Sequence, residues 1–223
     1  MKNDLFSIGP FTVHGYGLMI AIGVLSAYYM VEYRAKKKQM DWEKVFPLTV
    51  WSVLGGFLGS KILYLLTRLP DILANPALLG SSIKDGFVVY GGIIGGILTA
   101  WIYCKCTKWN FWKIFDIAMP AVAMAQGFGR IGCLLAGCCY GIELDPANPI
   151  GIVFHNSAYA PNDVALLPTQ IISSVLDFAN CFVLLALSKK LKTDGQVASC
   201  YLIFYSIGRF VLEYFRGDLI RGN

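Results

Sequence analysis

Six stretches of this chain, roughly 15–33, 45–66, 87–104, 112–137, 168–188 and 196–215, are apolar over close to the ~20 residues that a spanning helix needs. That pattern leaves little choice of fold. Inside lipid every backbone N–H and C=O must be bonded within the structure, and only helices and closed barrels achieve this. The runs are continuous rather than alternating and contain many Leu, Ala and Met, which favours helices. With 56% hydrophobic residues, 15% charged and a mean hydropathy of +0.57, the chain has too little polar surface for a soluble globule. We read an all-α, polytopic integral membrane helical bundle of about six transmembrane helices, one transmembrane domain over residues 1–223.

The basic residues orient this bundle. Arg34, Lys36, Lys37, Lys38 and Lys44 follow the first span, Lys105, Lys108 and Lys113 the third, and Lys189, Lys190 and Lys192 the fifth, whereas 140–167 carries none. Those three segments are expected in the cytoplasm and the N-terminus outside. The start MKNDLFSIGPFTVHG shows no cleavable signal peptide. Segment 140–167, with its Pro and Asn, reads as a small extracytoplasmic cap. The net charge of +5 sits mostly in the cytoplasmic clusters, which suits anionic membrane lipid and not nucleic acid.

Two arginines interrupt the apolar runs. Arg130 lies in AMPAVAMAQGFGRIGCLLAG and Arg209 in VASCYLIFYSIGRFVLEYF. A guanidinium stays charged and is costly at bilayer depth, so both must face a wet or anion-binding interior. Most glycines fall in small-xxx-small patterns: Gly55, Gly56 and Gly59, then Gly91, Gly92, Gly95 and Gly96, then Gly127, Gly129 and Gly132. Close helix packing accounts for most of these, but in GFGRIG the glycines flank a charge and can offer backbone N–H groups to an anion. At 100° per residue Tyr205, Arg209 and Arg216 fall within about 40° of one another, with Glu213 about 40° further round. A phenol, two guanidiniums and a carboxylate would then share one face. His14 and Tyr16 stand where the first span meets the outer surface.

Five motifs in order carry a resemblance: HGYGLM at the first span, YGGIIGG in the third, GRIGCLLAGCCYG closing the fourth, LPTQ opening the fifth and YSIGRFVLEYFRGD in the sixth. Together they resemble the prolipoprotein diacylglyceryl transferases. The resemblance implies transfer of a diacylglyceryl group from phosphatidylglycerol to the lipobox cysteine of a prolipoprotein signal peptide, with no cofactor and no metal. It implies catalytic roles for Arg130, Arg209, Tyr16 and Tyr90, and substrate binding by Tyr205, Glu213, Gly91, Gly92, Gly129, Gly141 and Gln170. Preorganised guanidiniums in a cavity of low dielectric suit the charge that develops as glycerol phosphate departs.

The chain also departs from the family pattern. Tyr90 stands where the family has a histidine, and a phenol with an ordinary pKa near 10 is a poor base at pH 7. Cys133, Ala136 and Cys138 replace two asparagines and a glutamate of the signature, and Leu167, Ile172 and Ser173 replace a histidine, a tyrosine and a glutamate. The sequence ends at RGDLIRGN, where the family usually continues into a seventh span, so we expect a shortened relative or an incomplete sequence. Cys133, Cys138 and Cys139 form a possible thiol site: activated thiols, a disulfide, a soft-metal site completed by a residue such as His155, or packing. C-x4-C-C is not a recognised zinc spacing. Cys104 and Cys106 are expected to be reduced and inert. Two other readings stay open: a divergent relative using the three cysteines on another acceptor, and a lipid or anion transporter, for which no internal repeat is visible.

Overall fold

The computed structural model describes residues 4–8, 11–75, 80 and 86–217. An antiparallel pair, β1 (Asp4–Ile8) and β2 (Phe11–His14), leads into helix α1 (Gly15–Lys37). A 3-10 turn (Trp42–Lys44) precedes α2 (Val45–Thr67), followed by the short α3 (Leu69–Ala74), α4 (Val89–Cys106) and α5 (Phe111–Ala136). Strands β3 (Ile152–Val153) and β4 (Ala165–Leu166) separate α5 from α6 (Thr169–Leu187) and α7 (Gln196–Glu213). Among the described residues, five helical stretches are long and apolar enough to cross a membrane: Gly15–Lys37, Trp42–Thr67, Val89–Cys106, Phe111–Ala136 and Thr169–Leu187. The sixth expected span does form a helix, α7, but is not in that set; its sequence carries Arg209, Glu213, Ser199 and Ser206. The helical, polytopic fold class holds, and the short strands lie outside the helices. Part of the segment between the second and third expected spans lies outside the described residues.

The chain divides into two compact units, Met1–Val31 with Phe115–Asn223, and Glu32–Ile114. In the second, α2 and α4 meet backbone to backbone. A Cβ added at Gly59 would run into the Gly91 carbonyl, one at Gly91 into the Gly59 carbonyl, and one at Gly95 into the Gly55 carbonyl. Glycines four residues apart remove the side chains that would hold the two helices apart. Leu48, Cys104 and Ile114 form the apolar core of this unit.

The first unit packs α1, α5, α6 and α7. Gly132 lies against Tyr16 and Met19, and Gly23 against Ala125 and Phe128, so glycines again set the α1–α5 approach. Phe128 meets Phe178 edge to face at 5.3 Å, and the Ser174 hydroxyl donates to the Gly127 carbonyl at 3.0 Å, joining α5 to α6. Met119, Ala123, Cys181, Leu184, Val197, Ala198 and Tyr201 close the core. Side chains cap the starts of α5 and α7. The Asn110 side-chain oxygen accepts the N–H groups of Trp112 (3.0 Å) and Lys113 (3.4 Å). Asp116 accepts those of Gly195 and Ala198, each at 2.8 Å, where its negative charge also complements the α7 dipole. Outward faces carry Leu25, Val175, Phe182, Ile203 and Phe210, an apolar surface that lipid tolerates and water does not.

Residues 137–168 wrap into a small cap. β3 pairs with β4, isolated bridges join Gly141 to Arg216 and Glu143 to Leu166, and Phe154, Ala160 and Leu166 form a separate core. His155 Nδ1 contacts Asp163 Oδ1 at 2.6 Å.

Candidate active site

Arg130, on α5, turns its guanidinium toward Asp177 on α6, with Nε 4.0 Å from Oδ2. That is beyond hydrogen-bond length, so the carboxylate faces the cation without saturating it. Arg130 and Asp177 line a cavity of about 290 Å³ with Asn180 of α6 and Tyr205, Gly208 and Arg209 of α7. Leu176, Val183, Phe204 and Leu212 supply the rest of an apolar lining, in which charge interactions are poorly screened. A second, narrower pocket is shared by Arg130, Arg209 and Arg216 with Gln170, Ser173 and Cys139.

Three guanidiniums therefore converge, the two inside apolar runs and Arg216. Helical periodicity does not bring in the third. Helix α7 ends at Glu213, and Arg216 instead bridges to Gly141, with Ile142 N–H donating to the Phe215 carbonyl (3.0 Å) and Gly217 N–H to that of Tyr140 (3.2 Å). The expectation that Arg216 shares a helical face with Tyr205 and Arg209 is corrected accordingly. Glu213 stands between two of the cations, 2.5 Å from Arg209 Nη2 and 3.6 Å from Arg216 Nη1. Tyr205 stacks on Tyr201 at 5.8 Å, and the Tyr201 hydroxyl donates to Gln126 Oε1 at 2.8 Å, which steadies the tyrosine face of the cavity.

Two amide oxygens have no protein partner among the described residues. Gln170, 1% exposed, donates Nε2 to the Cys138 carbonyl at 2.9 Å while its Oε1 is buried without a bond. Asn180 Oδ1 is likewise buried and unbonded beside the larger cavity. An unsatisfied buried acceptor is costly, so both are suited to a hydroxyl or amide donor brought by a ligand.

The glycines differ in what they face. A Cβ at Gly129 would meet nothing within 4 Å, whereas one at Gly141 would press on Leu167 and Thr169. Gly141 is thus required by the backbone clamp that carries Arg216. Tyr16 is 41% exposed beside Gly132 and within electrostatic reach of Arg130 and the three cysteines. Tyr90, Gly91 and Gly92 belong to the second unit. There Tyr90 is 74% exposed, Gly91 packs on Gly59, and Gly92 lines a groove with Ser60 and Phe87.

Helix α5 ends in a Schellman motif. Gly137 takes a left-handed φ of 74°, its N–H donates to Leu134 O (3.2 Å), and Cys138 N–H donates to Cys133 O (3.0 Å). This closure folds Cys138 back over Cys133, and a second left-handed residue, Cys139 at φ 61°, turns the third thiol toward them. The three sulfurs lie within 4.8 Å of one another. His155, bonded to Asp163, is not part of the cluster. Hydrogen bonds from Cys133 and Cys138, then the charges of Arg216 and Arg130, hold the Cys139 thiol below its ordinary range, while bonding to the other two thiols pushes Cys138 up.

Sequence reasoning passed over Asp177 and Asn180. Asp177 was findable, because it is an ionisable residue within an apolar span, the same signal that marked the arginines. Asn180 became visible only when α6 was placed against α7.

The model of the prolipoprotein diacylglyceryl transferase family matches residues 3–222. A phosphatidylglycerol–prolipoprotein diacylglyceryl transferase of Clostridium tetani is 45% identical over all of this chain and 88% of its own length. Phosphatidylglycerol–prolipoprotein diacylglyceryl transferase 2 of Clostridium perfringens is 43% identical over 98% of this chain and 84% of its own. A Staphylococcus carnosus protein of the former name is 32% identical over 96% and 78%.

Proposed function

The chain belongs to the prolipoprotein diacylglyceryl transferase family, and from that premise we propose that it moves a diacylglyceryl group from phosphatidylglycerol to the lipobox cysteine of a prolipoprotein, releasing glycerol phosphate. The observation that carries this reading is the convergence of Arg130, Arg209 and Arg216 on adjoining pockets between apolar helices. Against the carboxylates of Asp177 and Glu213, three guanidiniums leave one positive charge, which complements a single phosphodiester.

In the reaction the lipobox thiolate attacks the glycerol carbon that bears the phosphate ester. A carbon–sulfur bond forms, the carbon–oxygen bond breaks, and its electron pair leaves on the phosphate. Negative charge on the leaving group therefore grows toward the transition state, where guanidiniums already in position stabilise it without reorganising. Asp177 orients Arg130. The unbonded oxygens of Asn180 and Gln170 accept hydroxyls of the glycerol headgroup, and Gly208 leaves space in the cavity that Arg130 lines. Tyr205 and Tyr16 supply polar edges to the substrate. Tyr90, Gly91, Gly92 and Gly129 are site proposals that rest on the resemblance.

The N-terminus and the 137–168 cap are read as facing outward and the lysine-rich segments as cytoplasmic. Arg34, Lys36 and Lys37 in the last turn of α1 and Lys105 in that of α4 support this orientation. The direct test is complementation of a bacterium depleted of its own diacylglyceryl transferase, read by the mass of a reporter lipoprotein. A diacylglyceryl increment is expected with this chain and not with Arg130→Ala at equal membrane abundance. An unmodified reporter alongside well-inserted wild-type protein would overturn the proposal.

A further inference from the structure

We propose that Cys133, Cys138 and Cys139 form a three-thiolate site for a soft, thiophilic cation of the Cu(I) or Zn(II) class. The inference stands apart from the transfer reaction and rests on how the end of α5 is built. Spacing alone left a metal as one reading among several, since C-x4-C-C is not a finger or knuckle pattern. The Schellman closure replaces that spacing with geometry, because its Cys138 N–H to Cys133 O bond sets residues five apart side by side.

The arrangement is held from a second helix. Thr169 Oγ1 donates to the Cys139 carbonyl at 2.9 Å and Gln170 Nε2 to that of Cys138 at 2.9 Å, so the first turn of α6 grips the backbone of both. The three thiols are partly buried and free of disulfides. Their sulfurs lie within 4.8 Å of one another. A metal about 2.3 Å from each sulfur needs them roughly 3.8–4.0 Å apart, a contraction that small side-chain rotations provide.

Charge and donor type narrow the ligand. Sulfur-only donors disfavour calcium and magnesium, which take oxygen, and favour thiophilic ions. Three thiolates around a divalent ion carry one net negative charge, two around a monovalent one. Arg130 and Arg216, which share a pocket with Cys139, offset part of it. As three metal–sulfur bonds form, each S–H bond still present breaks and its proton passes to solvent, with no change of oxidation state.

The test uses the full chain, purified under reducing conditions in detergent and titrated with Cd(II) as a spectroscopic probe. The expected result is one Cd(II) per chain, with sulfur-to-metal absorption of three-thiolate intensity and an upward shift in unfolding temperature. Cys133→Ser, Cys138→Ser and Cys139→Ser should each cut the band by roughly one third and weaken binding at least about 100-fold, while Cys106→Ser leaves both unchanged. Stoichiometric displacement of the probe by Cu(I) or by Zn(II) then identifies the preferred ion. A wild-type band of fewer than three thiolates per chain, or one that persists when all three are serine, would overturn the proposal. The wild-type titration decides the matter even where a variant fails to fold.

Discussion

The α2–α4 pair and the α5–α6–α7 group use the same small residues to opposite ends. Between α2 and α4, Gly59, Gly91 and Gly95 put backbone against backbone, and the space a side chain would need is already filled by a facing carbonyl or Cα. In the other group an added Cβ at Gly129 would meet nothing within 4 Å, and Gly208 lines the cavity beside Arg209. One pattern closes an interface and the other leaves room at a cavity. A small-xxx-small motif therefore states that a side chain is absent, and only the neighbouring charge tells whether a helix or a ligand takes its place.

Substitutions at four positions sharpen this contrast. The largest effect is expected from Arg130→Ala, which should lower single-turnover transfer about 100- to 1,000-fold, the usual cost of losing one preorganised charge stabiliser, with membrane insertion intact. Gly59→Val at the α2–α4 contact should instead act on stability. Overpacking against the Gly91 carbonyl costs about 1–3 kcal/mol or more, readable as an earlier unfolding transition in detergent. Asp177→Asn should reduce kcat/KM about tenfold by freeing the Arg130 side chain, with Asp177→Glu recovering most of the loss. Smallest is Gly129→Ala, which should leave stability unchanged or raise it by up to ~1 kcal/mol, because the methyl meets nothing and Ala favours the helix. A Gly129→Ala protein as unstable as Gly59→Val would erase the distinction.

The sequence marks the helices well because continuous apolar runs of bilayer length leave no other backbone solution. Its edges drift by a few residues. The third span, read as 87–104, is Val89–Cys106, and the last helix stops at Glu213 rather than running to 215. Arg130 and Arg209 were legible because charge within an apolar run demands a reason, and Asp177 was legible on the same ground though it went unused. Arg216 was not legible in its true role, since its place depends on a bridge to Gly141, some seventy-five residues away in sequence. The cysteine cluster was named from sequence, but its geometry was not legible for a related reason. C-x4-C-C does not show which thiols meet until Gly137 is recognised as the left-handed residue that ends the helix and folds the chain back.

The most direct test of the central claim, that these guanidiniums carry diacylglyceryl transfer, is a reconstituted assay. The wild-type chain and Arg130→Ala, inserted equally in vesicles containing phosphatidylglycerol, are given a lipobox peptide, and the peptide mass is followed over time. The account predicts a diacylglyceryl increment on the peptide cysteine with one glycerol phosphate released per event, at least about 100-fold slower for the variant. No product from the wild type, or a variant that keeps pace with it, would contradict the account.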